Sequence, residues 1–204
     1  MVPQGISVEH PAALPAHLSV AFPVIVKPRC EGSGRGIDAG AVVHTDEALR
    51  ARVAWLYKQC PGPFIVEEFI TGGELTVFLI GNDPPTALPV VQRPLDPTTG
   101  LAVHVITPPQ AEGVCPVTLE SVLETQAKEV AQRMFQAIGC QDMARVDLRI
   151  DEEGRVYFLE INPLPSLSDQ DVFNYVAKAR RMTHYQIINR ILETALIRHK
   201  LVRK

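Results

Sequence analysis

Two short runs in the last third of the chain, Ala144-Arg145-Val146-Asp147 and Leu159-Glu160-Ile161-Asn162, alternate polar and apolar residues one by one. A period of two belongs to a strand, and it puts Arg145 and Asp147 on one face with Val146 and Leu148 on the other. Glu160 and Asn162 share a face in the same way, opposite Leu159 and Ile161. The acidic link Asp151-Glu152-Glu153-Gly154 ends in glycine, as a hairpin loop does, so the two strands are expected to pair with their polar faces coincident. A chain with such a hairpin needs an antiparallel sheet that is apolar on one face and polar on the other. The polar face gathers two carboxylates, one carboxamide and one guanidinium. Oxygen donors of this kind suit magnesium, which takes one or two protein carboxylates and leaves its other positions to water and phosphate. An exposed hairpin with a wet face is the competing reading of these strands taken alone.

Composition narrows the classes. The 204 residues are 46% hydrophobic and 21% charged, with a formal net charge of -3, which describes a soluble globular protein with chain enough for a sizeable core. The one basic cluster, Arg198, Lys200, Arg203 and Lys204, is terminal and serves as well to complement a helix C-terminus, so nucleic acid is not an expected partner. The cysteines Cys30, Cys60, Cys115 and Cys140 form no C-x-x-C pair, which points away from zinc and disulfides and toward reduced thiols in a cytoplasm. No long apolar run or basic-then-apolar leader is present, so neither a membrane span nor secretion is expected. The histidines, among them His44, His104 and His184, lack ligand spacing.

Read along the chain, Pro23-Val24-Ile25-Val26-Lys27-Pro28 is a short strand, followed by the glycine-rich Glu31-Gly32-Ser33-Gly34-Arg35-Gly36 and a second strand from about Gly40 to His44. Glycines there let backbone N–H groups approach phosphate, with Ser33 and Lys27 in support; a plain hairpin turn with a solvated lysine is the alternative. No helix opens directly from the loop, so a Walker-type site is not indicated. Thr45 or Asp46 caps a helix to about Gln59, with Leu49, Val53 and Leu56 at core spacing. Pro63 to Ile70 reads as a strand that turns acidic, and Glu74 to Ile80 as another after Thr71-Gly72-Gly73. Glu67 and Glu68 are either solvated edge charges or, with Glu74, groups facing a purine and its ribose. Leu88 to Val91 looks like a strand and Pro94 to Gln110 like a long loop of the kind used as a lid. Thr118 to Ile138 is expected as an amphipathic helix with Val122, Val130, Met134 and Ile138 on its buried face. A last helix from about Thr183 carries Ile187, Ile188, Ile191, Leu192 and Leu196 toward the core.

Lys27-Pro28, Glu31 to Gly36, Val66-Glu67-Glu68-Phe69-Ile70 with Glu74-Leu75-Thr76-Val77, Ala144 to Asp147 and Leu159 to Pro163 form an ordered set that resembles the ATP-grasp carboxylate-amine ligases, and among them the D-alanine:D-alanine ligases. The resemblance covers nearly the whole chain. It implies an α/β (α+β) ATP-grasp fold whose two lobes, antiparallel sheets with helices, enclose the nucleotide: residues 1–70 as the small lobe and 71–204 as the large one. It assigns Lys27 to phosphate and the loop Glu31, Gly32, Ser33, Gly34 and Gly36 to cover the phosphates. Glu67, Glu68 and Ile70 would line adenine, and Glu74 would hold ribose. Asp147, Glu160 and Asn162 would bind two Mg2+ ions per site, or Mn2+ in their place, and Arg145 would steady the transferred phosphoryl group. The implied reaction activates a carboxylate as an acyl phosphate with ATP and then forms an amide with an amine. Amino-acid or other carboxylate substrates and a homodimer are the partners expected.

Three departures from the family's pattern bear on substrate. Such ligases carry an N-terminal domain that supplies part of the first amino-acid site, and this chain starts near the point where that segment should have ended. The long loop reads Pro94-Leu95-Asp96-Pro97-Thr98-Thr99-Gly100 where D-alanine ligases carry tyrosine and lysine. Ser166 stands where the family has glycine, and Asp171 where a small hydroxyl residue receives the second substrate's carboxylate. An aspartate there would repel that carboxylate, so either Ser166 or Ser168 takes the role or the second substrate is not an ordinary D-amino acid.

Overall fold

The computed structural model describes residues 1–103, 119, 121–168 and 172–202. His104, Cys115, Asp171 and the loop expected beyond position 103 lie outside the described residues. The chain divides into two units, each with its own sheet and core.

One unit holds Val2–Thr71 and the described part of Leu95–Gln110. Its strands β1 (Gly5–Val8), β2 (Val24–Pro28), β3 (Val42–Val43) and β4 (Phe64–Glu68) form an antiparallel sheet in the order β1-β4-β2-β3. Helix α1 (Asp46–Gln59) starts where Thr45 accepts a hydrogen bond from the Ala48 amide, with Asp46 and Glu47 favourably placed in its first turn. Strict alternation in β2 turns Val24, Val26 and Pro28 inward, against Phe64 and Val66 of β4 and Leu49, Val53 and Leu56 of α1. The opposite face carries Ile25, Lys27, Ile65 and Glu67. Part of it is covered by a small cluster of Ala41, Phe69 and Leu101 with Ile25. Leu101 arrives there on an ordered turn: the Asp96 carboxylate accepts from the amides of Thr98 and Thr99 and from the Thr99 hydroxyl. The hydrogen bonds from Thr99 hold the Asp96 carboxyl below the usual aspartate value.

The other unit holds Met1, Gly72–Pro94 and the described part of Ala111–Lys204. Strand β5 (Glu74–Ile80) pairs with β8 (Met143–Ile150), β8 pairs with β9 (Val156–Asn162), and the short β6 (Thr86–Ala87) and β7 (Val91–Arg93) both pair with β5. The strand expected over Leu88 to Val91 is thus split, because Pro89 has no N–H to give the ladder. The acidic hairpin turns as expected, with Gly154 at φ 77°. Helix α2 (Ser121–Ile138) packs on the apolar face of the sheet through Ala127, Ala131 and Phe135, against Leu75, Val77, Val146 and Leu148. This corrects the expected buried face in part: Val130 packs against the core, but Val122 is 67% and Ile138 54% exposed. Alanine spacing of four lets the helix lie close to the strands; Val122 falls outside that stripe, and Ile138 is the last residue of the helix. Helices α3 (Val172–Ala179) and α4 (His184–Arg198) cover one end of the other face, where Phe173, Val176 and Ile187 meet Phe78, Ile80 and Val91. Leu192, expected in the core, is 55% exposed. Among the described residues no helix is long and apolar enough to cross a membrane.

Candidate functional site

Beyond the end covered by α3 and α4, the second sheet's polar face is organised in rows by strand register. Phe78, Arg145 and Asn162 stand side by side; then Thr76, Asp147 and Glu160; then Arg93, Glu74 and Arg149. Alternation along β5 and β8 puts these residues on one face, but β9 needs more. Val156 and Phe158 pack with Ile161 on the α2 side, which spans an odd number of residues and so breaks a strict period of two. The break is a register shift after Asp147, where Glu160 lies opposite Asp147 but Phe158, two positions back, opposite Leu148. Leu159 is the extra residue of this bulge, and it returns Glu160 and Asn162 to the polar face.

Hydrogen bonds join the rows. The Arg93 Nε donates to Thr76 Oγ1 at 2.9 Å, and that hydroxyl donates to Asp147 Oδ1 at 2.9 Å. Arg145 grips the same carboxylate with Nε at 3.0 and 3.1 Å and Nη2 at 2.7 Å. The Asn162 amide nitrogen donates to Asp147 Oδ2 at 3.3 Å and to Glu160 Oε1 at 2.8 Å. Asp147 is 8% exposed, whereas Glu160 is exposed. In the third row Arg149 Nη1 donates to Glu74 Oε2 at 3.3 Å. Burial pushes the Glu74 carboxyl above its ordinary value, against the pull of Arg149 and Arg93, and burial likewise lowers Arg149.

Asp147, Glu160 and Asn162 fit a hard divalent cation. The Asn162 carboxamide already lies against both carboxylates, and turning it half a revolution would replace its nitrogen by Oδ1, giving three oxygen donors. Among the described residues no three His, Cys, Asp or Glu side chains could hold a metal by themselves. The set therefore suits an ion that draws its remaining ligands from water and phosphate.

In the first unit, Lys27 Nζ and Glu67 Oε1 form a part-buried ion pair on the face away from α1. Glu68 is tied to the β1 end: its amide donates to the Gln4 carbonyl and its carboxylate accepts from the Gln4 amide. Ile70 is buried just beyond β4. The loop from Glu31 to Gly36 turns with Ser33 at φ 57°, Gly34 at 72° and Gly36 at 74°. Glu31, Gly32 and Ser33 are exposed. Ser166 lies exposed in the loop after β9, where its Oγ accepts from the Ser168 amide at 3.3 Å.

Thus Arg145, Asp147, Glu160 and Asn162 come together as one set, and Lys27 meets Glu67. Thr76, Arg93 and Arg149 were not anticipated. Thr76 shares its parity with Glu74, and Arg149 with Arg145 and Asp147, so strand phase alone marks both; Arg93 needs the pairing of β7 to β5.

The sequence profile described as D-ala D-ala ligase C-terminus matches residues 7–193. The uncharacterized protein y4sG of Sinorhizobium fredii is 34% identical over 181 residues, covering 85% of this chain and 52% of that protein. D-alanine--D-alanine ligase of Desulfotalea psychrophila is 32% identical over 183 residues, covering 89% and 56%. The solved structure of Bacillus anthracis D-alanine--D-alanine ligase complexed with ATP gives a TM-score of 0.73 at 20% identity, over 100% of this chain and 62% of that one. VanG D-Ala:D-Ser ligase of Enterococcus faecalis gives 0.75 at 19%, over 95% and 56%. The chain spans about half the length of the curated relatives it matches. With a profile match over most of its residues and the fold of these ligase structures, the chain belongs to the D-ala D-ala ligase C-terminus family.

Proposed function

We propose that this chain is the catalytic part of an ATP-dependent carboxylate-amine ligase, most like D-alanine--D-alanine ligase, that forms an amide through an acyl phosphate. The observation that carries the reading is the hydrogen-bonded set Arg93, Thr76, Asp147, Arg145, Asn162 and Glu160. Charges this far out of water cost stability unless they are paired, and a set paired this densely holds its geometry ready for a charged ligand. Asp147, Glu160 and Asn162 would hold magnesium, or manganese, as two ions. Bound there, the metal would offset phosphate charge and polarise the phosphoryl oxygens.

The chain's own groups supply the rest. Arg145, aimed by Asp147, puts a planar guanidinium where negative charge builds as a substrate carboxylate oxygen attacks phosphorus and ADP leaves. The amine then attacks the acyl carbon and phosphate departs. Lys27 carries a point charge for phosphate, which requires it to exchange its partner Glu67 for the nucleotide. The glycine loop lays backbone over the phosphates and keeps water from the acyl phosphate. Glu67, Glu68 and Ile70 would border adenine and Glu74 the ribose; Ser166 or Ser168 would meet the second substrate's carboxylate. An N-terminal domain completing the first amino-acid site, and a second copy of the chain, are the macromolecular partners we propose. A cytoplasm is the setting we propose, in keeping with the free thiols of Cys30, Cys60 and Cys140.

The test is phosphate release from Mg-ATP by the purified chain, with D-alanine and a panel of other amino acids added in turn. Release that depends on one amino acid is expected and names the substrate. Binding of Mg-ATP without release under any of them supports a second reading, a nucleotide-binding module without turnover.

A further inference from the structure

Helix α1 turns four residues inward, and one of them is an arginine. Arg52 is 8% exposed among Leu49, Val53 and Leu56, a position that ordinarily takes an aliphatic side chain. Its guanidinium is spent on one short stretch of chain. Nη1 donates to both oxygens of Asp38, at 2.8 and 3.1 Å, and Nη2 to the Gly36 carbonyl at 2.8 Å. The plane lies 4.5 Å over the Trp55 ring, and Nε has no hydrogen-bond partner. Asp38 in turn accepts from the Gly40 amide at 2.8 Å, and the Ala41 carbonyl beyond it accepts from the Val26 amide of β2.

The contacts fall on one end of the glycine-rich loop. Gly36 is wedged: a Cβ there would stand 2.6 Å from Pro28 Cγ and 3.1 Å from Leu56 Cδ1. At Gly32, in contrast, a Cβ would meet nothing within 4 Å. The loop is thus pinned at Gly36 and Asp38 and open at its tip. A lysine has one nitrogen where this clamp uses two, Nη1 on the carboxylate and Nη2 on the carbonyl, held apart in one plane.

We propose that Arg52, through Asp38 and the Gly36 carbonyl, is a positioning residue for the phosphate-binding loop, fixing the base from which the loop closes over nucleotide phosphates. The proposal rests on the ligase reading above. Arg52 touches no phosphate itself; it sets where the loop amides stand when phosphate arrives. Loss of the clamp therefore weakens binding of phosphates and leaves the nucleoside's own contacts unchanged.

The experiment is calorimetric titration of the purified chain with Mg-ATP and separately with adenosine, alongside thermal melting, for the unaltered protein, Arg52→Met, Asp38→Asn and the double variant. Methionine keeps the apolar bulk against α1, and Asp38 is half-exposed, so its variant tests the clamp even if Arg52→Met fails to fold. Each single variant should lose about tenfold or more in Mg-ATP affinity, the scale of a misplaced binding group, with adenosine affinity and melting midpoint unchanged. The double variant should lose no more than either single one. Mg-ATP affinity unchanged in Asp38→Asn overturns the clamp while leaving the ligase reading intact. Parallel loss of both ligands with a lowered midpoint shows a merely structural role and overturns it too. No Mg-ATP binding by the unaltered chain removes the ligase reading and the clamp with it.

Discussion

Gly36 has no room for a side chain and sits at a backbone angle that only glycine takes without strain. Gly36→Ala should therefore cost about 1–3 kcal/mol of stability, read as a shifted urea midpoint. Asp147 sits at the crossing of three donors, the Thr76 hydroxyl, the Arg145 guanidinium and the Asn162 amide. Asp147→Asn should lower turnover by about a hundredfold or more, as loss of an electrostatic group does, and circular dichroism should show the sheet intact. Wild-type turnover in that variant would remove the assigned role. Asp142 offers a pH test away from these groups. Hydrogen bonds from Arg198, and then Asn82, hold its carboxyl below the ordinary 3.8. A depressed folded-state value means the unfolded chain binds the proton first as pH falls, so the pair's stabilisation is full above that ordinary value and fades below it. Asp142→Asn should flatten this part of the acid limb of a pH–stability curve, and an unchanged limb would show that the pair contributes nothing.

Strand β9 shows how far the elements could be read without coordinates. The hairpin, its glycine turn and the shared face of Arg145 and Asp147 follow from a period of two, which local backbone geometry enforces. The bulge at Leu159 does not, because its cause is non-local: Phe158 and Ile161 both have to reach α2. Deleting Leu159 should therefore leave a regular strand, with Phe158 and Ile161 still against α2 and Glu160 and Asn162 still on the polar face, and the variant should melt as a folded protein. Loss of cooperative melting in the deletion variant would show that Leu159 is not the extra residue. The same division holds for the helices. Thr45 and Thr183 mark the starts of α1 and α4 by local capping, both visible in the sequence. Which stripe of α2 is buried depends on how closely it approaches the strands, and its alanines carry that information more quietly than Val122 or Ile138. Strand β1 is not legible in the sequence for a related reason, since four residues with two aliphatics become a strand only by pairing with β4. Among the site residues, Arg145, Asp147, Glu160 and Asn162 were legible by phase, while Arg52 was hidden as a charge at an aliphatic position of α1.

The core around Phe64 and the core around Phe135 have no residue in common. Phe64→Ala should speed hydrogen exchange in β1, β2 and β4, and Phe135→Ala in β5, β8 and β9, each at a cost of about 3–5 kcal/mol to its own unit. Exchange rising equally everywhere in either variant would mean that the units unfold as one. The polar face adds a second property of the molecule. Arg93, Arg145 and Arg149 stand against Glu74, Asp147 and Glu160, three cations to three anions, with the Asn162 amide spanning the last two carboxylates. That amide acts as a placeholder. Its N–H groups lie between Asp147 and Glu160 and offset the repulsion of the two carboxylates, so the charges of this face balance within the sheet. A chelator should leave the melting midpoint where it was. On the proposed reading, ion and nucleotide would then meet a sheet that is already folded, and their scarcity would lower occupancy without loosening the fold.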